Sequence, residues 1–383
     1  MNARSSLSSA VALVKYGVIT AAAGGLALVV FNACGFDPPA KNTSDGGASA
    51  AGLVKCSAPP GQLPESNCNN SDNKCTETGC TIDPSCGEAT TCLPLAKNAG
   101  KTVLDFRIRR LNVAAPPTLA EAFVQNSVVT KNIDLKAKQC GELGNGAFNW
   151  LLQVDKTKNT VRTGGAPPST DVFGVGFCFY DHTTNEGIVV TPAETSIKFE
   201  GDTFSTSVPI AKLAVPIFLG GNVDNAIVLP LTDATITKTT ISADGDCIGQ
   251  FEPKSLTSDC QDDPSSCAKW NTAGAIGGYI TLEEADNVPV KDLNESLCVL
   301  LTKATKQGPE GKCPRDGSGG LPKGDYCAAT KSAGGCQDSY WLAATFAASA
   351  AKIHDGSTVA ECKSGGGPKT DGGTDAAGDA KAD

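Results

Sequence analysis

The chain has 383 residues, 17 of them cysteine, and a formal net charge of -9. Its length allows one large domain or two ordinary ones. The acidic balance excludes a nucleic-acid binder, which needs a basic surface for phosphate, and also a polybasic membrane patch. No Cys-x-x-Cys occurs, so zinc-ribbon, thioredoxin-like and haem-attachment motifs are absent, and the cysteines point to disulfides in an oxidising compartment.

Residues 1–15 carry Arg4 and Lys15 and no acid, and Tyr16 to Phe36 carries no charge. A basic start followed by an apolar run is an export signal. The alternative is an uncleaved anchor over the same run, although Gly17, Gly24 and Gly25 weaken it as a helix. The run ends Phe31-Asn32-Ala33-Cys34-Gly35, which resembles the lipobox of bacterial lipoproteins. Ala33 fits that pattern, whereas Phe31 and Asn32 stand where Leu and Ala or Ser are usual. The resemblance implies a signal peptide over 1–33 and palmitate-type acylation of Cys34. The partner is then a membrane of the cell envelope, and Gly35 in place of Asp favours the outer membrane. Acylation of Cys34 also leaves sixteen of the 17 cysteines, an even number that disulfides can use completely.

Residues 34–55 are rich in Pro, Gly, Ser and Ala and read as a flexible tether. Residues 56–99 form a cysteine-rich module with Cys56, Cys68, Cys75, Cys80, Cys86 and Cys92. It holds few large apolar residues, so disulfides must supply its order, with the connectivity left open.

Residues 100–312 change character and carry Cys140, Cys178, Cys247, Cys260, Cys267 and Cys298. Val103 to Ile108 alternates apolar and charged residues as a half-buried strand, and the phase shift after Arg109-Arg110 predicts a bulge. Phe148, Trp150, Leu152 and Val154 share one strand face. Phe173, Val175, Phe177 and Phe179 form a second, opposite Gly174 and Gly176. Ile197, Phe199, Ile236 and Ile241 continue the pattern, and Asp244-Gly245 signals a hairpin turn before Ile248. Val208 to Leu219 is apolar but contains Pro209 and Pro216, which predicts an edge strand or a buried loop. A helix is expected over Asn294 to Ala304, capped by Asn294. A second is expected from Asp338 through Trp341, Thr345, Ala348 and Ile353. Residues 313–364 hold Cys313, Cys327, Cys336 and Cys362 in a loop and helix segment. Residues 365–383 form an acidic Gly/Ala tail expected to be disordered. The expected fold is mainly β: an antiparallel sandwich or partly closed barrel, with a few late helices and disulfide-rich flanking segments.

Chemistry-bearing motifs are weak. Asp316-Gly317-Ser318-Gly319-Gly320 has the wrong order for a serine-protease nucleophile loop and reads as a turn. Ser266-Cys267-Ala268-Lys269 matches S-x-x-K by letter, without the companion motifs. His182 reads as a loop histidine beyond a strand, and His354 as a residue at a helix end. The acid groups Asp244/Asp246, Asp259/Asp262/Asp263 and Glu283/Glu284/Asp286 lack EF-hand spacing. No catalytic residue, metal ligand or cofactor site is assigned.

The leading functional expectation is a membrane-anchored surface lipoprotein with a non-catalytic structural or binding role. The first alternative is a lipid- or glycan-binding β shell, suggested by the aromatic strand faces and the Val208–Leu219 run. An apolar cavity favours this shell, and a packed core favours the structural role. The second alternative is a carboxylate-dependent hydrolase, which needs a cleft with two close carboxylates of raised pKa. The signal, the cysteine-rich start and the phrase Gly146-Ala147-Phe148-Asn149-Trp150-Leu151-Leu152 together resemble cysteine-rich surface lipoproteins of myxobacteria, a resemblance that implies no activity.

Overall fold

Strand β1, Val103–Ala115, runs through the centre of the protein and is buried along most of its length. The computed structural model describes residues 56–69, 81–87, 91–137, 140, 142–218, 226–253, 256, 268–357 and 362. The signal, Cys34, the tether, Cys75, Cys80, Cys260, Cys267, Ser266, Asp259, Asp262, Asp263 and the tail lie outside the described residues.

The other principal strands are β2 Asn149–Asp155, β3 Thr160–Ala166, β4 Ala193–Glu200, β5 Thr203–Thr206, β6 Ile210–Phe218, β7 Ala226–Thr237, β8 Thr239–Thr240, β9 Gly274–Thr281 and β10 Ser339–Ala350. They pair antiparallel in the order β6-β7-β9-β10-β1-β2-β3-β4-β5-β8. The fold is therefore mainly β, as the alternation predicts. The register between β1 and β10 shifts between Ile108 and Arg110, just before the point where the sequence phase places a bulge.

The sheet curls until its ends approach one another. Phe218 N, on edge strand β6, donates to Ala147 O at 3.0 Å, and Thr206 Oγ1 donates to Ile236 O at 3.3 Å. Gly165 makes the closure possible, because a Cβ there would lie 2.3 Å from Pro216 Cδ. Pro216 is tolerated because β6 ends the strand order and its missing N–H breaks no inner ladder. The result is a partly closed barrel. At one end Val154, Val161, Phe204 and Ile236 seal the interior completely.

A second layer covers the outer face of β1 and β10. Leu93, Leu95, Phe177, Phe179, Phe251 and Trp270 pack there. Three disulfides tie this layer together across long stretches of chain: Cys86–Cys140, Cys92–Cys247 and Cys178–Cys362. Three local bridges, Cys56–Cys68, Cys298–Cys313 and Cys327–Cys336, complete those of the described residues. Cys86–Cys140, Cys92–Cys247, Cys178–Cys362 and Cys298–Cys313 therefore join segments that the sequence reading sets apart.

Because β1 is covered on both faces, its charged positions are buried and partnered. Arg109 pairs with Glu142 at 2.7 Å and stacks its guanidinium 5.3 Å from the Trp270 ring. Arg107 donates from Nε to Asn149 Oδ1 at 2.7 Å and from NH1 to Ile108 O at 3.1 Å. Burial, aided by neighbouring Arg109, pushes the Arg107 guanidinium down to about 9, which still leaves it charged at neutral pH.

Four sequence expectations require correction. The helix expected after Asp338 is strand β10. Its alanines suit a helix by propensity, but β1 and β9 flank the segment and both its faces are buried, so small side chains fit between two layers. Phe173 and Val175 do not share a strand face with Phe177 and Phe179. They stand exposed in a turn where Asp171 Oδ1 accepts from Phe173 N and Gly174 N. The helix expected over 294–304 is shorter, Leu297–Thr302, and its cap is Ser296, whose hydroxyl accepts from Val299 N. Asn294 instead adopts a left-handed conformation at the end of a preceding 3-10 turn. His354 lies in no helix; its backbone N–H donates to Phe177 O and its Nδ1 accepts from Gly356 N.

The edge-strand reading of the Val208–Leu219 run holds over Ile210–Phe218, which ends the strand order, with Leu213, Val215 and Phe218 sealed from solvent and Val208 exposed; Leu219 lies outside the described residues. The turn at Asp244-Gly245 also holds, closed by an Ile241–Ile248 bridge.

Candidate functional site

The barrel is not filled at its other end. A cavity of about 580 Å³ lies between the inner wall of the sheet and two covering segments. Leu111 and Val113 of β1, Trp150 of β2, Leu229 of β7, Ile276 of β9 and Ala344 of β10 form part of the wall. Alternation places these residues inward, because every second side chain of a strand faces the same side. Several of them keep a little exposure that the sealed end lacks: Val113 7%, Ala344 6% and Leu111 6%, against 0% for Val161 and Ile236. Trp150 donates its Nε1–H to Thr163 Oγ1 at 2.9 Å, which satisfies its polar atom on the neighbouring strand. What it presents to the cavity is hydrocarbon.

The first cover follows β1. It comprises the short helix Pro117–Ala120, a wide π-helical turn Val124–Thr130 and the helical turn Lys131–Ile133. Gln125 hangs this cover on the sheet. Its Nε2 donates to Leu111 O at 2.8 Å, and its Oε1 accepts from Val113 N at 2.9 Å. That contact meets β1 where its pairing with β10 is irregular, between Val113 and Ala115. Leu119, Val124 and Val128 line the cavity from this cover.

The second cover is the helix Leu297–Thr302 with the segment before it. It is more firmly fixed. The Cys298–Cys313 bridge holds the helix, and buried Asp286 accepts from Ser296 Oγ at 2.8 Å and Cys313 N at 2.7 Å. Leu297, Val299 and Leu300 face the cavity. Glu121 and Lys303 form an ion pair that joins the two covers at the surface. Polar groups in the lining are few. Among them the Thr118 hydroxyl is buried without a hydrogen-bond partner.

The sequence motifs tested for chemistry are occupied by structural work. Lys269 is buried in an ion pair with Asp134 at 2.7 Å, so it is no free base. Asp316 Oδ1 accepts from Ser318 N, Ser318 Oγ and Gly320 N, which makes that segment a turn. His182 sits in a two-residue strand beside the Tyr180 ring, and neither His182 nor His354 lines the cavity. Glu283 pairs with Arg315, which holds its carboxyl below the usual range. Asp244 accepts from Ser242 Oγ and Asp246 N, with the same effect on its carboxyl. The groupings Asp286/Cys298/Cys313 and Cys327/Cys336/Asp338 have the compactness of metal sites, but their sulfurs are spent in disulfides. Burial raises the carboxyls of Asp105 and Asp325, and neither lines the cavity.

Sequence reasoning did not find the first cover. Leu119, Phe123, Val124 and Val128 recur at helical spacing between 117 and 130, a signal that was present. No family model, curated protein or solved structure matches this chain. Among the described residues, no helix is long and apolar enough to cross a membrane.

Proposed function

We propose that this protein is an envelope-anchored carrier that holds one apolar ligand in its cavity and performs no covalent chemistry on it. The observation that supports this reading is the 580 Å³ cavity itself. Protein interiors pack densely and leave few voids larger than a water. A space of this size falls within the range of about 300–1,000 Å³ typical of ligand pockets. At roughly 30 Å³ per water-sized group, it holds about twenty methylene-sized units, one acyl chain or one compact polycyclic lipid. The hydrocarbon wall favours a lipid over a glycan, whose hydroxyls would lose water without gaining partners.

The anchor in this proposal is an acyl group on Cys34, as the lipobox-like sequence implies, at the outer membrane. Fatty-acid labelling of the expressed protein should be lost on Cys34→Ala, and labelling that survives the change removes the anchor. The carrier reading is tested by titrating the protein with a fluorescent monoacylglycerol. The expected result is saturable binding at one probe per chain, displaced by unlabelled monoacylglycerol. Non-saturable uptake, or none, overturns it.

A further inference from the structure

Two of the most exposed apolar side chains stand on the cavity's lining. Phe123 is 74% exposed, the highest value for a large apolar residue among those described, and Leu293 is 50% exposed. The other exposed large apolar residues, Leu143, Phe173, Val175, Val189 and Val208, lie away from the cavity. Phe123 and Leu293 come from different covers, yet side-chain contacts bring those covers together. Glu121, two residues before Phe123, pairs with Lys303 across the two covers, and within the second cover Lys306 donates to Leu293 O and Asn294 O at 3.1 and 3.2 Å. The two apolar groups therefore flank one mouth. An aromatic and a leucine held out at the opening of an apolar cavity cost solubility and do nothing for the packing of the core.

We propose that Phe123 and Leu293 form a membrane-contact lip, through which ligand passes directly between the cavity and an uncharged, zwitterionic bilayer surface. The inference rests on the carrier reading. Around the lip stand Glu121, Asp292 and Glu295 against Lys291, Lys303 and Lys306; Lys291 pairs with Glu186 and Lys303 with Glu121, so among the described residues the bases at the lip are balanced by acids. Attraction to anionic headgroups needs a basic cluster. Insertion of apolar side chains does not, and aromatic rings suit the interface between headgroup and chain. Contact at the mouth also spares the ligand a passage through water.

The test loads the full chain with a pyrene-labelled monoacylglycerol and follows its transfer to phosphatidylcholine vesicles. With the wild type, the transfer rate should rise with vesicle concentration. Phe123→Ser/Leu293→Ser should lower that rate at least tenfold, well beyond any accompanying change in equilibrium binding, and Phe123→Trp should keep it. Vesicles containing phosphatidylglycerol should be no faster. A rate independent of vesicle concentration, an unchanged rate in the double variant, or acceleration only on anionic vesicles overturns the lip. So does a double variant whose transfer rate falls only in proportion to its loss of equilibrium binding, since the two side chains would then act on binding alone. Absence of saturable binding by the wild type removes the carrier reading and the lip together.

Discussion

Ala344→Phe should have opposite effects on stability in an open cavity and in a packed core. Ala344 lies on β10 opposite Val113 of β1 and Ile276 of β9, and its methyl group faces the cavity. In a filled interior, adding a ring at such a site forces neighbours off their rotamers and costs about 1–3 kcal/mol. In this structure the ring has about 580 Å³ to enter, bounded by hydrocarbon. Burying it there should cost nothing and should stabilise the protein by up to about 2 kcal/mol, the usual worth of a buried apolar side chain. The assay is urea denaturation with disulfides intact, comparing midpoints at constant slope, together with titration by the fluorescent monoacylglycerol. The expected variant is at least as stable as the wild type and binds less probe. A loss of 1 kcal/mol or more in the ~1–3 range of overpacking would refute the open cavity, whatever happened to binding.

Three further outcomes are expected. Lys269→Met leaves Asp134 buried with no partner for either oxygen and should cost about 3–5 kcal/mol, whereas Lys269→Met with Asp134→Leu should return near wild-type stability; equal stability of single and double variants would contradict the buried pair. Replacing Cys298 and Cys313 by serine opens a bridge of sequence separation 15 and should cost about 3 kcal/mol in thermal or urea unfolding, with faster release of bound probe as the second cover loosens. Burial raises the Asp105 carboxyl above its unfolded value, so its contribution to stability is present at low pH and is lost as pH rises through the raised value. Asp105→Asn should therefore raise the urea midpoint near neutral pH and lose that advantage in acid, below the ordinary carboxylate pKa of about 3.9; an unchanged difference across that range would sink the assignment.

Strand periodicity is legible where large apolar side chains alternate with polar or charged ones, even where both faces are covered. Val103 to Ile108 and Phe148 to Val154 could be read from alternation alone, and the bulge expected after Arg109-Arg110 lies just before it, between Ile108 and Arg110. The reading fails where that contrast is missing. Ser339–Ala350 is buried on both sides, so its alternation is between small residues and its alanine content imitates a helix. Phe173 and Val175 alternate correctly with Phe177 and Phe179, but Asp171 captures the intervening backbone N–H groups and turns the chain before a strand can form. The cavity itself was beyond a sequence reading. Its wall residues are the same types that fill a core, and the difference is a volume left open by strands that are distant in sequence. What was present in the sequence was the apolar helical spacing of the first cover and the solitary Phe123 within it.

The most direct test of the carrier account is native mass spectrometry on protein extracted gently from the cells that make it, compared with its mass after denaturation. The account predicts one additional small, apolar compound per native chain, lost when the protein unfolds. Equal native and denatured masses would contradict it and would leave the structural, non-carrier role as the better reading.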